Sequence, residues 1–193
     1  MEVKRLTGAV IIIVVLLVLI FVVWPIAIYN SLVRKRVRVD NAWRQIDVQL
    51  KRRHDLIPNL VESAKGYMKY ERETLEKVME ARSRAVSAGG IEEAGHAEGE
   101  LSRILRQLFA LVENYPELKA NEQVARLMEE LTHTENNIAF ARQFYNDMVM
   151  DYNTSLQVFP NSIIASLFNF QPKPFFRMEV EEEAQPPSVD LRI

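Results

Sequence analysis

Two Glu-x-x-His motifs, Glu93-Ala-Gly-His96 and Glu130-Leu-Thr-His133, have the residue types and spacing that best fit metal chemistry. In helical bundles that hold two metal ions, such pairs point inward together with one glutamate from each remaining helix. On a helix, however, Glu130 and His133 lie about 100° and 160° away from Leu131, which marks the packing face. The other motif lies in a glycine-rich helix start that would not hold a ligand rigidly. We therefore predict solvated surface residues, with no metal site, no cofactor and no catalytic residue.

A second candidate is a set of charged residues on helix faces that otherwise carry apolar side chains. Glu135 and Arg142 occupy two such positions, two helical turns apart. Equivalent faces of the preceding helices carry Arg53, Glu71 and Arg82. Because an isolated buried charge is costly, we expect these five groups to form a polar layer that aligns the helices. The alternative is a metal-binding or enzymatic bundle that uses the Glu130/His133 and Glu135/Arg142 region.

The composition excludes several other classes of site. The 193 residues contain no cysteine and only three histidines, which rules out disulfides, thiolate metal sites and a cysteine nucleophile. The sequence has no glycine-rich phosphate-binding loop and no Ser-His-Asp spacing. Only six glycines occur and strand-like alternation is absent, which is typical of a protein built from long helices.

The N-terminal stretch Leu6–Ile28 carries no charged side chain over 23 residues. As a helix it would extend about 35 Å at roughly 1.5 Å per residue, enough to cross a hydrocarbon core of about 30 Å. Trp24 and Tyr29 stand where an interfacial aromatic belt would lie. A cleaved signal peptide is the alternative, but its apolar core would be shorter and would end at small residues. The sequence therefore predicts a retained transmembrane helix.

Charge is distributed unevenly along the chain. Residues 34–53 contain eight basic and two acidic residues, a balance of +6, whereas the chain from His54 onward carries −9. Lys and Arg beside a span favour the cytoplasmic side, and five follow the span closely against two before it. We therefore predict a single-pass protein of the cell membrane, with the N-terminus outside and the C-terminal domain cytoplasmic. Nucleic acid is not an expected partner, because a domain of this negative charge would repel phosphates.

Apolar periodicity predicts four long helices after the span. The first would leave the membrane directly and end at Asp55–Pro58, although one continuous helix with a proline kink is the alternative. The second would cover Asn59–Ala88 and end at Gly89-Gly90. The third would begin near Ile91 and stop before Pro116. Short connections favour an up-down-up-down order, so the predicted fold is all-α, with a transmembrane helix followed by an antiparallel four-helix bundle.

The fourth helix carries the most regular pattern, a coiled-coil seam whose steps alternate between four and three residues. Its members are Val124, Met128, Leu131, Glu135, Ile138, Arg142, Tyr145, Val149, Tyr152, Leu156 and Phe159. An apolar stretch from Asn161 to Phe170 follows Pro160, and we expect it to pack under the bundle or touch the membrane. The predicted domains are residues 1–28 (tail and anchor), 29–160 (bundle) and 161–193 (apolar segment and mobile acidic tail).

Several long motifs in the sequence are specific enough to indicate a family. They are Tyr29-Asn-x-Leu-Val, Val39-Asp-Asn-Ala-Trp-Arg-Gln-Ile-Asp-Val-Gln-Leu-Lys-Arg-Arg-His-Asp-Leu-Ile-Pro-Asn-Leu-Val, Tyr115-Pro-Glu-Leu-Lys-Ala-Asn-Glu and Thr134-Glu-Asn-Asn-Ile-Ala-Phe-Ala-Arg-Gln-Phe-Tyr-Asn. Together these motifs resemble those of the LemA family. The resemblance implies a bacterial or archaeal single-span membrane protein with a cytoplasmic helical bundle and no established enzymatic activity. It also implies work in membrane stress or protein quality control beside a membrane metalloprotease, or in magnetosome membranes.

These features predict a non-enzymatic, membrane-anchored adaptor whose bundle presents an interaction surface in the cytoplasm. Its expected partners are the lipid bilayer and membrane or cytoplasmic proteins, with a membrane metalloprotease system among them. The basic residues 34–38 lie within reach of lipid headgroups. Lys51, Arg52 and Arg53 lie farther away and would serve an acidic face of the bundle or a partner protein. The seam of the fourth helix also suits self-association, so a homo-oligomer is a further expectation.

Overall fold

Helices are the only regular secondary structure in the part of the chain that the structure describes. The structure is a computed structural model that describes residues 2–68 and 70–178. Its elements are α1 (Glu2–Val18), a π-helical segment (Leu19–Val23), α2 (Trp24–Lys65), α3 (Arg72–Ser87), α4 (Ile91–Val112), α5 (Pro116–Lys119), α6 (Glu122–Gln157) and α7 (Asn161–Leu167). No strand occurs within the described residues, so the predicted all-α class is confirmed.

The apolar N-terminal stretch is divided among three elements. Helix α1 ends at Val18, the π-helical segment covers Leu19–Val23, and α2 begins at Trp24. Among residues 2–68 and 70–178, no helix combines the length and the apolar character that crossing a membrane requires. The prediction of one transmembrane helix over Leu6–Ile28 therefore finds no support in these helix boundaries.

Helix α2 runs through Pro58 without interruption, so the predicted end of the first helix at Asp55–Pro58 is wrong and the alternative of one continuous helix is confirmed. Proline has no N–H to donate to the carbonyl four residues earlier, which here belongs to His54. The Nε of Arg82, in α3, donates to that carbonyl at 2.7 Å. Buried apolar side chains continue on both sides of the proline, namely Ile57, Leu60 and Val61. A replacement donor and a continuous apolar face therefore keep the helix intact.

The second helix begins later than the sequence predicts. In place of a helix over Asn59–Ala88, α3 spans Arg72–Ser87, and a non-helical connection separates it from the end of α2 at Lys65. Met68 in this connection is buried, so the apolar pattern continues where the helix does not. The predicted inward residues are all buried, namely Leu60, Ala64, Met68, Leu75, Val78 and Ala85. The apolar pattern therefore identifies the core correctly and the helix boundary wrongly.

The chain divides into two compact units. Unit 1 comprises Met1–Ala42 and Asp147–Lys173, and unit 2 comprises Trp43–Asn146 and Pro174–Ile193. Helices α2 and α6 contribute residues to both units.

In unit 2, four helices supply one apolar core. Buried members from α2, α3, α4 and α6 include Leu60, Ala64, Val78, Ala81, Leu101, Leu108, Val124 and Leu131. The ring of Trp43 lies 5.6 Å from that of Tyr145, and Arg53 pairs with Glu135. Residue numbers rise along α2 as they fall along α6, so these two helices are antiparallel, as expected for the predicted bundle.

In unit 1, the end of α6 binds the segment that follows α7. The hydroxyl of Tyr152 donates to the carbonyl of Gln171 at 3.1 Å. The side-chain amide of Asn153 exchanges two hydrogen bonds of 2.9 Å with the backbone of Lys173. The ammonium of Lys173 reaches Asp40 of α2 at 2.8 Å. These contacts hold the segment after α7 beside α2 and α6.

The segment that continues into unit 2 is packed as core, which the sequence does not predict. Phe176 is fully buried, its ring lies 5.3 Å from that of Trp43, and its backbone exchanges two hydrogen bonds with the side chain of Asn146. Gly95 of α4 permits this approach, because an added Cβ there would clash with the carbonyl oxygen of Arg177. The sequence assigns these residues to a mobile tail; the acidic part of that tail, 179–193, lies outside the described residues.

Candidate functional site

Arg53 lies at the centre of a buried polar cluster in unit 2. Its side chain has no exposed surface, and its guanidinium donates to the carboxylates of Glu98 and Glu135. It also donates to the hydroxyl of Ser102 at 2.8 Å, and that hydroxyl donates to Glu135 at 2.7 Å. Nε2 of His54 lies 2.7 Å from Oε1 of Glu98. We call these five residues the Arg53 cluster.

Three helices bring the Arg53 cluster together. In α2, Arg53 shares its inward face with Ile46, Leu50 and Ile57, at steps of four and three residues. Helix α4 supplies Glu98 and Ser102 one turn apart, and α6 supplies Glu135. A buried guanidinium needs its charge balanced and acceptors for its N–H groups. Both terminal nitrogens of Arg53 have acceptors, whereas its buried Nε has none among the described residues. The cluster therefore fixes how α2, α4 and α6 align.

Glu98 is held in its ionised form by its neighbours. Burial raises the pKa of this carboxyl, but the hydrogen bond to His54 and the charges of Arg53 and His54 together outweigh burial. The net effect is a pKa below its ordinary value of 4.5. A carboxyl of this kind stabilises a neighbouring cation and does not serve as a proton donor near neutral pH.

This lowered pKa predicts a pH dependence of stability. A carboxyl whose pKa is depressed in the folded state stabilises the fold above pH 4.5, and this contribution is lost as the pH falls through the folded-state pKa. The free energy of unfolding of the full chain, measured in urea at several pH values, should therefore fall below pH 4.5. Glu98→Gln should have a shallower acid slope, whereas Glu117→Gln, at an exposed position, should keep the slope of the unmodified protein. Equal slopes in all three proteins would contradict the assignment.

Of the five charged residues expected in one polar layer, the structure brings two together. Arg53 and Glu135 pair inside unit 2, which confirms that part of the prediction. Arg142 lines a small cleft between α4 and α6 together with Arg106, and Ser102 and Glu135 of the Arg53 cluster line the same cleft. Among the described residues Arg142 makes no ion pair, and it is not part of the Arg53 cluster.

Arg82 and Glu71 have separate roles. Arg82 donates to the backbone of α2 beside Pro58, and Glu71 accepts a hydrogen bond of 3.3 Å from the hydroxyl of Tyr115. The predicted single layer is therefore wrong for these two residues. Both lie on the inward faces that the sequence assigns to them, but at different levels along the helices from the Arg53 cluster.

Sequence reasoning does not identify Glu98 and Ser102. A signal for Glu98 exists, because it precedes Leu101, Leu105 and Leu108 at steps of three, four and three residues. Its neighbours Gly95 and Gly99 make the start of α4 resemble a solvated helix end. Both glycines are buried, so this part of α4 is core.

The second Glu-x-x-His motif lies on the surface of α6. Glu130 is half exposed, and its carboxylate lies 3.5 Å from the guanidinium of Arg52. His133 is exposed, and its Nδ1 lies 3.1 Å from the side-chain amide of Asn137. Neither side chain belongs to the Arg53 cluster. Of the region that the enzymatic alternative uses, Glu135 and Arg142 line one cleft, and Glu130 and His133 are not among the residues that line it.

The first Glu-x-x-His motif is also divided. The carboxylate of Glu93 accepts a hydrogen bond of 2.8 Å from the backbone N–H of Gly89 and so caps the start of α4. His96 lies elsewhere, on an exposed side of the helix near Pro174. Within residues 2–68 and 70–178, no group of three or more His, Cys, Asp or Glu side chains is arranged to hold a metal ion.

Unit 2 also carries an open groove between α2 and α6, which we call the aromatic groove. Its lining includes Arg44, Val48, Gln49, Asn137, Phe140 and Phe144. Phe140 is 72% exposed and Phe144 is 46% exposed, one helical turn apart on α6, and Val48 faces solvent on α2. Oε1 of Gln49 is buried and has no hydrogen-bond partner among the described residues. Aromatic side chains of this exposure, bordered by amides and an arginine, form a surface suited to binding another protein.

Comparison with known proteins identifies relatives of the chain. The model of the LemA family matches residues 42–191. The chain is 27% identical to Protein LemA of Metamycoplasma hominis, over 79% of this chain and 73% of that protein. It is 23% identical to Magnetosome protein MamQ 2 of Paramagnetospirillum magneticum, over 88% and 72%, and 24% identical to Magnetosome protein MamQ of Magnetospirillum gryphiswaldense, over 77% and 64%. The family match covers the Arg53 cluster and the aromatic groove, and the chain belongs to the LemA family.

Proposed function

We propose that this protein is a non-enzymatic adaptor that is held at a membrane and binds a partner protein through the aromatic groove. The observation that carries the proposal is the exposure of Phe140 and Phe144 beside Val48. Aromatic residues at the centre of a surface patch contribute most of the binding free energy in many protein interfaces. Without a binding partner, exposed apolar side chains of this kind would favour aggregation.

Anchoring by the N-terminal stretch is part of the same proposal. Leu6–Ile28 lacks charge, and the apolar side chains of residues 10–18 stand exposed along α1. Basic residues cluster just after this stretch, which favours a cytoplasmic position for the remainder of the chain. Two relatives are named as magnetosome proteins, which supports work at a membrane.

An adaptor role is favoured over an enzymatic one by the Arg53 cluster. Its charged groups are hydrogen-bonded to one another across three helices. A catalytic pair needs groups that can meet a substrate. Arg53 and Glu98 have almost no exposed surface, and Glu135, which is 40% exposed, is paired with Arg53. The cluster therefore contributes the rigid frame on which the aromatic groove is displayed.

The proposal is tested by crosslinking in native membranes. A photo-crosslinking residue replaces Gln45, which lies at the edge of the aromatic groove, and attached proteins are identified by mass spectrometry. Phe140→Ser and Phe144→Ser should each weaken a true contact by about 2 kcal/mol, roughly 30-fold in affinity, because a buried aromatic anchor is lost. The attached proteins should then disappear from both variants.

Val86→Ser is the matched control, since Val86 is an exposed apolar residue of α3 outside the groove. This variant should retain all attached proteins. Recovery of the same proteins from Phe140→Ser and Phe144→Ser would refute the groove as a binding surface.

A further inference from the structure

A second uncharged stretch lies near the C-terminus of the described chain. From Tyr152 to Pro172 the sequence contains 21 residues without one Asp, Glu, Lys or Arg. Charged residues make up 26% of the whole chain, so the expected number in a stretch of this length is about five. This stretch covers the end of α6, all of α7 and the turn that follows.

Helix α7 buries one side and exposes the other. Ile164 and Ala165 are buried in unit 1. Ile163 and Leu167 of α7 are exposed, Leu167 at 73%, and the residues that flank the helix, Phe159 at 79% and Phe168, are exposed as well. The apolar area on the outer side of α7 stays in contact with water, which is unfavourable in free energy compared with burying it.

Contacts within unit 1 place this apolar side next to the end of the N-terminal stretch. The ring of Tyr29 lies 4.8 Å from that of Phe168 and 5.6 Å from that of Phe170, both in edge-on arrangements. Tyr29 directly follows the uncharged stretch Leu6–Ile28. The two uncharged stretches of the sequence therefore meet at one place in the fold.

Basic side chains border the same place. Arg34, Arg36 and Arg38 are exposed on the first turns of α2 after Tyr29. The guanidinium carbon of Arg36 stands 5.4 Å from the centre of the Phe170 ring, so this charge lies beside the apolar side of α7. Lys35 is engaged with Asp151 at 2.6 Å. Apolar side chains flanked by arginines match the two layers of an anionic membrane surface, acyl chains below and phosphates above.

We infer that the exposed side of α7, together with the flanking residues Phe159 and Phe168, inserts into the interfacial region of an anionic lipid bilayer. Helix α7 is then a second membrane contact beside the N-terminal anchor, and Arg34 and Arg36 meet the headgroups. This inference rests on the anchoring part of the proposed function. It deepens that proposal, because two contacts restrict the tilt of the domain at the membrane more than one contact does.

The absence of cysteine from the sequence permits a direct test. Leu167→Cys, Val14→Cys and Val86→Cys are made separately in the full chain, labelled with an environment-sensitive fluorophore, and reconstituted into vesicles of phosphatidylcholine and phosphatidylglycerol. All three positions are exposed, so labelling should leave the helix content seen by circular dichroism unchanged. Quenching is measured with iodide from the aqueous phase and with spin-labelled lipids from the bilayer.

The label at Leu167 should be quenched by the lipid probe and protected severalfold from iodide, relative to the label at Val86. The same experiment with Ile163→Cys should give the same result, whereas vesicles of phosphatidylcholine alone should reduce the lipid quenching at both positions. Lipid quenching at Val14 reports the N-terminal anchor independently.

Other outcomes overturn the inference in distinguishable ways. Iodide access at Leu167 equal to that at Val86, with Val14 quenched by lipid, would refute the insertion of α7 and leave the anchor standing. Protection of Leu167 from iodide without lipid quenching would mean that protein covers α7, and disulfide formation between Leu167→Cys chains would identify a second copy. Free access of iodide to all three labels would refute both the anchor and the insertion.

Discussion

Arg53→Met is expected to lower the free energy of unfolding of the full chain by about 3–5 kcal/mol, because breaking a buried ion pair leaves an uncompensated charge in the interior. Arg53 has no exposed surface, and Glu98 is 1% exposed. Without the guanidinium, the carboxylate of Glu98 keeps only His54, and Glu135 keeps only Ser102. Urea unfolding followed by circular dichroism measures the loss.

The neighbouring residue provides a matched control for this prediction. Arg52 has the same side chain on the same helix, but it is about half exposed and pairs with the half-exposed Glu130 at 3.5 Å. A surface pair of this kind contributes about 0–1 kcal/mol after screening by solvent, so Arg52→Met should change stability little. Equal effects of the two substitutions would show that Arg53 is not the centre of a buried cluster.

A double substitution separates the charge effect from the packing effect. Arg53→Met combined with Glu98→Leu removes both members of the buried pair and leaves apolar groups of similar size. Such replacements are often neutral or stabilising, so the double variant should regain much of the stability that Arg53→Met loses. A double variant no more stable than Arg53→Met would instead assign the loss to packing and to Glu135.

Phe176→Ala is expected to have an effect of similar size, about 3–5 kcal/mol, because a fully buried aromatic side chain is lost and a cavity remains. Phe176 packs against Trp43, and its backbone is held by Asn146. The same urea experiment measures the effect. Fluorescence of Trp43 should shift toward longer wavelength as water reaches the cavity, which distinguishes local loss of packing from a general loss of stability.

Phe175→Ala is the control for the second prediction. Phe175 is adjacent in sequence, has the same side chain, and is 37% exposed. Its truncation removes less buried area and should cost clearly less than truncation of Phe176. A smaller effect at Phe176 than at Phe175 would mean that this segment does not pack on unit 2.

The inward faces of the long helices could be predicted from the sequence because burial follows the helical period. Val124, Leu131 and Ile138 of the seam are buried as expected, and so is Met68 in a connection that is not helical. The period reports which side chains leave the solvent, and it does not report where hydrogen bonding along the backbone stops. This is why the connection between Lys65 and Arg72 is missed while the core beside it is found.

The Arg53 cluster could be predicted only in part, because partner choice depends on the height of each residue along neighbouring helices. The pairing of Arg53 with Glu135 follows from shared inward faces. The participation of Glu98 has a local signal in its spacing from Leu101, whereas the close approach of Arg177 to Gly95 joins positions about eighty residues apart in sequence. No local pattern encodes a contact of this range, and the same holds for the burial of Phe176.

The hydrogen bond from Arg82 to the carbonyl of His54 has a consequence for the alignment of α2 and α3. That carbonyl is available because Pro58 cannot use it, and it occurs at one point along α2. A shift of α3 along α2 by one turn would leave the carbonyl of His54 and the guanidinium of Arg82 without each other as partners. A buried backbone group without a hydrogen-bond partner costs free energy. Pro58 therefore favours one alignment of α3 along α2.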